Sequence, residues 1–238
     1  MRIHYLQHVA FENPGSILKW AQANNYPVTA TQLYNDEALP EVSDFDWLVV
    51  MGGPMNIYEE AQYPWLKAEK AFIKAAIKAN KVVLGLCLGS QLIADIIGGK
   101  VVKNKQKEIG WFPITFFEEA KASPLFAFFP DNPVVFHWHG DTFVELPPEV
   151  TVIAASAACQ NQAFIYRQRV FGFQFHLENT QAIIKDLIKN CGDEMIPGDF
   201  VQLPNEVLAY PEYILQDNLW MATFLDRLRE QVEESRKN

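Results

Sequence analysis

Apolar and polar positions along the first hundred residues switch between a strand period and a helix period. Arg2 to Leu6, Val28 to Leu33, Asp46 to Met51 and Lys81 to Leu86 are short β-rich runs, Asp46 to Met51 being of the buried type. Gly15 to Asn24 and Trp65 to Asn80 carry helical spacing. The second has Leu66, Phe72, Ile73 and Ile77 at its apolar positions and follows Pro64, as helices often do. Ser90 to Ile97 is a further helix, ended by Gly98-Gly99. Strands and helices in turn predict a parallel sheet covered by helices.

From Lys100 to Phe175 the pattern changes. Trp111 to Phe117, Val134 to Trp138, Val152 to Ala155, Ala163 to Tyr166 and Val170 to Phe175 are separated by turns rather than helices. This predicts antiparallel strands added to the parallel core. Thr180 to Asn190 returns to helical spacing, and residues 192 to 211, broken by Pro197, Pro204 and Pro211, read as an irregular connection. A last amphipathic helix is expected from about Glu212 to Glu233, with Leu215, Leu219, Ala222, Leu225, Leu228 and Val232 on one face. No repeat, low-complexity segment or linker divides the chain.

Composition narrows the function classes. Of 238 residues, 49% are hydrophobic and 21% charged, which excludes a disordered chain. Twenty Lys and Arg against 29 Asp and Glu give a net charge of −9, which repels a phosphate backbone, so no nucleic-acid partner is expected. The most apolar window, Val82 to Val102, is broken by Ser90, Gln91, Asp95 and glycines, so no membrane span is expected. Gln7, His8, Glu12 and Asn13 follow the start too soon for a signal-peptide core, and a cytoplasmic location is the expectation. Three cysteines, Cys87, Cys159 and Cys191, are an odd number that argues against a disulfide framework and directs attention to single thiols.

The sharpest local signal is Gly85-Leu86-Cys87-Leu88-Gly89, between an apolar strand and a helix. It has the form of a nucleophile elbow, in which glycines two residues either side leave room for a tight turn that presents the central side chain at the sheet's carboxyl edge. At the first turn of a helix the dipole and free N–H groups would lower the thiol pKa. The competing reading is a small buried hydrophobe, as most free cysteines are. A thiol nucleophile needs a base and the base an orienter. His176 and Glu178, two residues apart at a strand end, would project to one side and supply both, although a surface His beside a solvated Glu has the same spacing. Gly52-Gly53-Pro54 follows a neighbouring strand, where a backbone N–H could face the same crevice as that of Leu88, an arrangement suited to an oxyanion; a plain strand-ending turn is the alternative. His137 and His139 share a strand face, but two histidines without cysteines at zinc spacing do not close a metal site, and no metal is expected. The basic run Lys103 to Lys107 reads as a solvated loop that would at most touch an anionic substrate or partner.

Gly52-Gly53-Pro54, Gly85-Leu86-Cys87-Leu88-Gly89-Ser90-Gln91 and Phe175-His176-Leu177-Glu178 together resemble, in order and separation, the signature segments of class I, triad-type glutamine amidotransferases. The resemblance covers about residues 1 to 190 and is nearest to stand-alone, GMP-synthase-like homologues. It implies a flavodoxin-like three-layer α/β/α fold with a mostly parallel central sheet plus antiparallel strands, as an amidotransferase domain over 1–192 and a C-terminal extension over 193–238. It further implies a Cys87, His176, Glu178 triad, oxyanion amides at Gly53 and Leu88, and no cofactor. Gln91 matches a glutamine-binding residue, and the loop His137-Trp138-His139-Gly140-Asp141 resembles the segment passing beside bound glutamine, which places His139, Gly140 and Asp141 at the substrate. The family's Phe-His-Pro-Glu is here Phe-His-Leu-Glu, which keeps the catalytic pair. No Ser-Gly-Gly-x-Asp-Ser loop or Walker-type loop occurs, so no synthetase half is present in the sequence and a separate ammonia-accepting synthetase is the partner implied. Three functions fit: hydrolysis of glutamine to glutamate and ammonia, hydrolysis of a γ-glutamyl peptide or conjugate, and an inactive glutamine-binding or thiol-sensing regulator. Turnover separates the third from the first two.

Overall fold

The computed structural model describes residues 1 to 235. Nine strands form one sheet in the order β2-β1-β3-β4-β9-β8-β7-β5-β6. Strands β1 (Ile3–Gln7), β2 (Val28–Gln32), β3 (Trp47–Val50), β4 (Val82–Leu86) and β9 (Val170–Phe173) run parallel. Strands β8 (Ala163–Tyr166), β7 (Val150–Ser156), β5 (Lys100–Phe116) and β6 (Val134–Val144) continue it antiparallel. The fold is mixed α/β with a parallel core and added antiparallel strands.

Alternation along the central strands sorts their side chains between two helical layers. Trp47, Val49 and Met51 face α1 (Ser16–Ala23) and the C-terminal helix α7 (Pro211–Ser235), with Trp20, Met221, Phe224 and Leu228 in the same core. Leu48 and Val50 face α2 (Trp65–Lys78) and α3 (Leu88–Ile96), with Phe72, Ile73, Leu92 and Ile93. A third cluster joins Trp111, Phe136 and Trp138 of the β5–β6 hairpin to α5 (Gln181–Cys191), to Val207 of α6 (Pro204–Val207) and to Ile214. Among the described residues no helix is long and apolar enough to cross a membrane.

The hairpin departs most from expectation. Strand β5 runs 17 residues and starts at Lys100, so Lys103 to Lys107 is strand rather than loop, and β6 continues to Val144, so His137 to Asp141 is strand as well. Apolar periodicity could not show this, because the ladder holds polar segments together by backbone pairing across a register break between Lys103 and Glu108. A short helix, α4 (Glu118–Lys121), follows β5 and has no counterpart in the sequence pattern. Strand β9 stops at Phe173, two residues early.

The face of α7 is as expected at Leu225, Leu228 and Val232 and differs in the turns before them. Leu215 is 72% and Leu219 59% exposed, whereas Ile214, Asp217, Met221, Phe224, Leu225, Leu228 and Val232 are buried. Two stripes of similar spacing compete on this helix, and the buried one is masked by the polar Asp217. That residue has a role there: its Oδ2 accepts the Phe136 N–H at 3.2 Å, while Asn218 Nδ2 donates to the carbonyls of Leu177 (3.1 Å) and Asn179 (2.8 Å).

Burial pushes the Asp217 carboxyl well above the ordinary carboxylate range, only partly opposed by the Phe136 N–H. A group that binds its proton more tightly when folded loses stability as pH rises through the folded pKa, by about 1.4 kcal/mol for each pH unit separating the folded and unfolded pKa values. Asp217→Asn keeps the acceptor for Phe136 and removes the titration. Urea unfolding is therefore expected to show the variant gaining on the wild type as pH rises above about 4, the ordinary carboxylate value; a stability difference that does not change with pH contradicts the assignment.

Candidate active site

Strand β4 ends at Leu86 and α3 begins at Leu88, leaving Cys87 at φ 49°, ψ −107° between them. A positive φ is costly for a residue with a Cβ and persists only where neighbours hold it. Here the Cys87 N–H donates to Phe173 O at 2.8 Å, and its carbonyl accepts from Ser90 N–H (3.0 Å), Gln91 N–H (3.2 Å) and Ser90 Oγ (2.6 Å). Both flanking glycines are required by close approach. A Cβ on Gly85 would lie 2.5 Å from the Gly89 backbone, and one on Gly89 would strike the Val50 carbonyl.

His176 and Glu178 lie beyond β9, in a bent segment rather than at a strand end, so the period of two does not operate there. They meet because the chain turns. The His176 N–H is anchored to Phe136 O at 2.8 Å, Nδ1 lies 2.6 Å from Glu178 Oε1, and Glu178 Oε2 accepts the Leu177 N–H at 3.0 Å. A proline at 177 would have no such N–H to give. With Nδ1–H donated to the carboxylate, the other ring nitrogen is left on the side of Cys87, whose Sγ lies 3.5 Å from Trp138 O and 3.6 Å from Gln174 Nε2.

Burial opposes the imidazolium of His176, but Glu178 and the Cys87 sulfur outweigh it and hold its pKa well above 6.5. Burial likewise pushes the Cys87 thiol up, against the pull of His176 and the Leu88 amide. The lowered thiol pKa expected from the helix terminus alone is thus overridden by desolvation, and thiol and imidazole titrate as a pair.

A cavity of about 220 Å³ opens beside Cys87 and His176. Gly53 and Leu88 line it, and neither N–H donates to a backbone acceptor among the described residues; the Leu88 amide lies against the Cys87 sulfur. Gln91, His139, Gly140 and Asp141 line it too. Gln91 Nε2 donates to Asp141 O (3.3 Å) and Gln174 Oε1 (3.1 Å). Both nitrogens of the His139 ring have a close partner, Nδ1 at 3.0 Å from Asp141 O and Nε2 at 3.1 Å from Glu108 Oε2. Glu108, His137 and His139 offer metal-ligand atoms within 4.8 Å of one another, but the Glu108 oxygens already take Ser156 Oγ and Gln162 Nε2, each at 2.7 Å. The cluster reads as a polar network stiffening β5 and β6.

Sequence reasoning missed the cavity's charged lining. Glu12, on the loop after β1, is buried there, and desolvation raises its carboxyl to about 7. Lys103 and Lys107 of β5 and Glu194 form the rim, Lys107 pairing with Glu194 at 2.8 Å. Behind Gly52, His8 and Glu69 make a wholly buried pair at 2.8 Å. One signal was available: Glu12 follows the carboxyl end of a central parallel strand, where such sheets bind their ligands.

The family model for class I glutamine amidotransferases matches residues 16–194. A Salmonella typhimurium protein named as glutamine amidotransferase-like, YfeJ, is 38% identical over 235 residues, covering 96% of this chain and 97% of that one. One subunit of the glutamine-hydrolysing GMP synthase of Thermoplasma acidophilum is 31% identical over 175 residues, 72% of this chain and 83% of its own length. The crystal structure of a glutamine amidotransferase from Thermotoga maritima superimposes with a TM-score of 0.86 at 30% identity, covering 96% of this chain and 97% of that one. An elbow cysteine facing a histidine–glutamate pair is therefore set in a chain that belongs to the class I glutamine amidotransferase family.

Proposed function

We propose that the protein hydrolyses the γ-amide of glutamine through a thioester on Cys87, releasing ammonia and glutamate. The observation that carries this reading is that Cys87 and His176, the latter paired with Glu178, line one cavity together with Gly53 and Leu88, whose N–H groups have no backbone acceptor among the described residues. His176 draws the thiol proton, and Cys87 Sγ attacks the γ-carbonyl carbon. The developing oxyanion is received by the Gly53 and Leu88 amides. His176 then gives its proton to the departing ammonia, and afterwards takes one from the water that cleaves the thioester. Glu178 keeps the ring in the tautomer that both steps need. Gln91, Gly140 and Asp141 are assigned to the substrate's amino-acid end.

A cavity of about 220 Å³ falls below the roughly 300–1,000 Å³ of sites for drug-sized ligands, which favours an amino-acid-sized substrate over a large conjugate. Similarity to a GMP synthase subunit supports a separate synthetase as recipient of the ammonia. The test is glutamate and ammonia release by the purified chain from glutamine and from γ-glutamyl dipeptides. Cys87-dependent turnover of glutamine, raised by extract containing a synthetase, is the expected result. Fast turnover confined to the dipeptides would make the protein a γ-glutamyl hydrolase, and none with either substrate would return it to the regulatory class.

A further inference from the structure

The buried pair of His8 and Glu69 has no part in the chemistry described so far, yet it touches the site at one informative atom. His8 Nδ1 lies 2.9 Å from the carbonyl oxygen of Gly52, and Nε2 lies 2.8 Å from Glu69 Oε1. The Gly52 carbonyl belongs to the same peptide unit as the Gly53 N–H. A trans peptide is planar, with C=O and N–H pointing in opposite directions, so whatever fixes that oxygen fixes the aim of that N–H. The oxygen is held behind the loop by His8; the N–H is turned the other way, and Gly53 lines the cavity.

The proton inventory of the ring follows from its partners. A carbonyl oxygen can only accept, so Nδ1 carries a hydrogen. A carboxylate can also only accept, so a second proton is shared between Nε2 and Glu69. Glu69 makes no other side-chain hydrogen bond: its Oε2 is buried and unpartnered among the described residues. A fully buried ion pair with an orphaned oxygen contributes little to stability, since well-packed apolar residues of similar volume serve at least as well. Its placement makes sense as support for the loop.

We propose that His8, held as an imidazolium by Glu69, clamps the Gly52–Gly53 peptide so that the Gly53 N–H is aimed at the oxyanion and polarised for it. A cationic donor on the carbonyl oxygen draws electron density through the amide and strengthens its N–H as a donor, the cooperative effect known for chained hydrogen bonds. The inference rests on the proposed hydrolytic reading and makes His8 and Glu69 positioning residues. The titratable groups that face His8 are Glu69 from α2 and Glu12 from the loop after β1, and the Trp65 ring stacks on it at 5.5 Å. Burial works against the charged ring, but Glu69 and Gly52 hold its pKa above 6.5.

Glutamine hydrolysis by the full chain and its variants tests the clamp, with Cys87→Ala as the blank. His8→Ala is expected to lower kcat about 100-fold, the lower end of the range for a lost oxyanion donor, with KM changed by less than about threefold. His8→Asn, which can put a neutral amide donor near the place of Nδ1, should recover roughly tenfold of that loss. Where an unpaired Glu69 unfolds the single variant, the matched neutral pair His8→Asn with Glu69→Gln carries the comparison. Glu69→Gln alone should move the alkaline limb of the kcat profile to lower pH, because the ring loses the charge that keeps it protonated. Iodoacetamide should alkylate Cys87 at the wild-type rate in each variant. A kcat for His8→Ala within threefold of wild type, or no rescue by asparagine, overturns the clamp. Nitrogen-15 NMR of the His8 ring decides independently of activity: both nitrogens bearing protons at pH 7 is the expected state, and a neutral ring overturns the proposal even if glutamine is turned over. A wild-type chain that never releases ammonia would overturn the hydrolytic reading instead, and the ring's protonation would then decide for or against the charged pair.

Discussion

Replacing Cys87 by alanine is expected to lower the rate of glutamine hydrolysis by about 10⁶-fold, the scale on which a nucleophile acting as a unit with its base is lost. The substitution removes one sulfur from a buried position, and the elbow's backbone hydrogen bonds to Phe173, Ser90 and Gln91 remain, so the melting temperature should move by only a few degrees. The variant also separates two thiols. Cys191 lines the same cavity and survives the change, but burial raises its pKa to about 11, which leaves it almost entirely protonated at neutral pH. Coupled ammonia detection measures the rate. Mass spectrometry of acid-quenched enzyme should find the γ-glutamyl adduct on wild type and none on the variant. Residual turnover above about 1% of wild type would show that another group carries the attack.

Glu178→Gln is expected to cost about 10⁴-fold in kcat, as in the Ser-His-Asp enzymes where the orienting carboxylate was made an amide. The local hydrogen bonds explain why so mild a change should be so damaging here. Leu177 N–H donates to Glu178 Oε2, so the single oxygen of a glutamine is drawn to that donor, which turns the amide NH₂ toward His176 Nδ1. Nδ1 must then accept, the proton moves to the nitrogen facing Cys87, and the ring can no longer take the thiol proton. Steady-state kinetics should show the loss in kcat with little change in KM. A variant within tenfold of wild type would mean that the carboxylate does not set the tautomer.

Much of this site was readable because each signal has a single mechanical cause. Gly85 and Gly89 bracket Cys87 since a Cβ at either place would strike backbone, and that requirement is local. The parallel core was legible for a similar reason, as strands buried on both faces leave no alternative pattern. The long β5–β6 hairpin was not, because its polar stretch from Lys103 to Glu108 crosses a register break that apolar alternation does not record. The buried face of α7 was legible at Leu225, Leu228 and Val232 but misplaced at Leu215 and Leu219, because Asp217 and Asn218, which look like surface residues, are turned inward to satisfy backbone groups around the His176–Glu178 pair. His8 and Glu12 are near neighbours in sequence, but Glu69 is 61 residues beyond His8, and the three have meaning only once the loop after β1, the Gly52-Gly53 loop and α2 are brought together. Pairwise chemistry between distant segments leaves no periodic trace.

The contacts of α7 bear on how such chains can be divided and recombined. The match to the family model ends at residue 194, before this helix begins. Yet Asp217 holds Phe136, whose carbonyl holds His176, and Asn218 ties down the carbonyls on both sides of Glu178. A boundary drawn at the end of that match would therefore cut through the scaffold of the His176–Glu178 pair and strip Met221, Phe224 and Leu228 from the main core. The segment is an integral buttress rather than an appendage. Grafting this protein's catalytic segment onto a shorter relative would need new partners for Phe136, Leu177 and Asn179 as well as the three signature motifs.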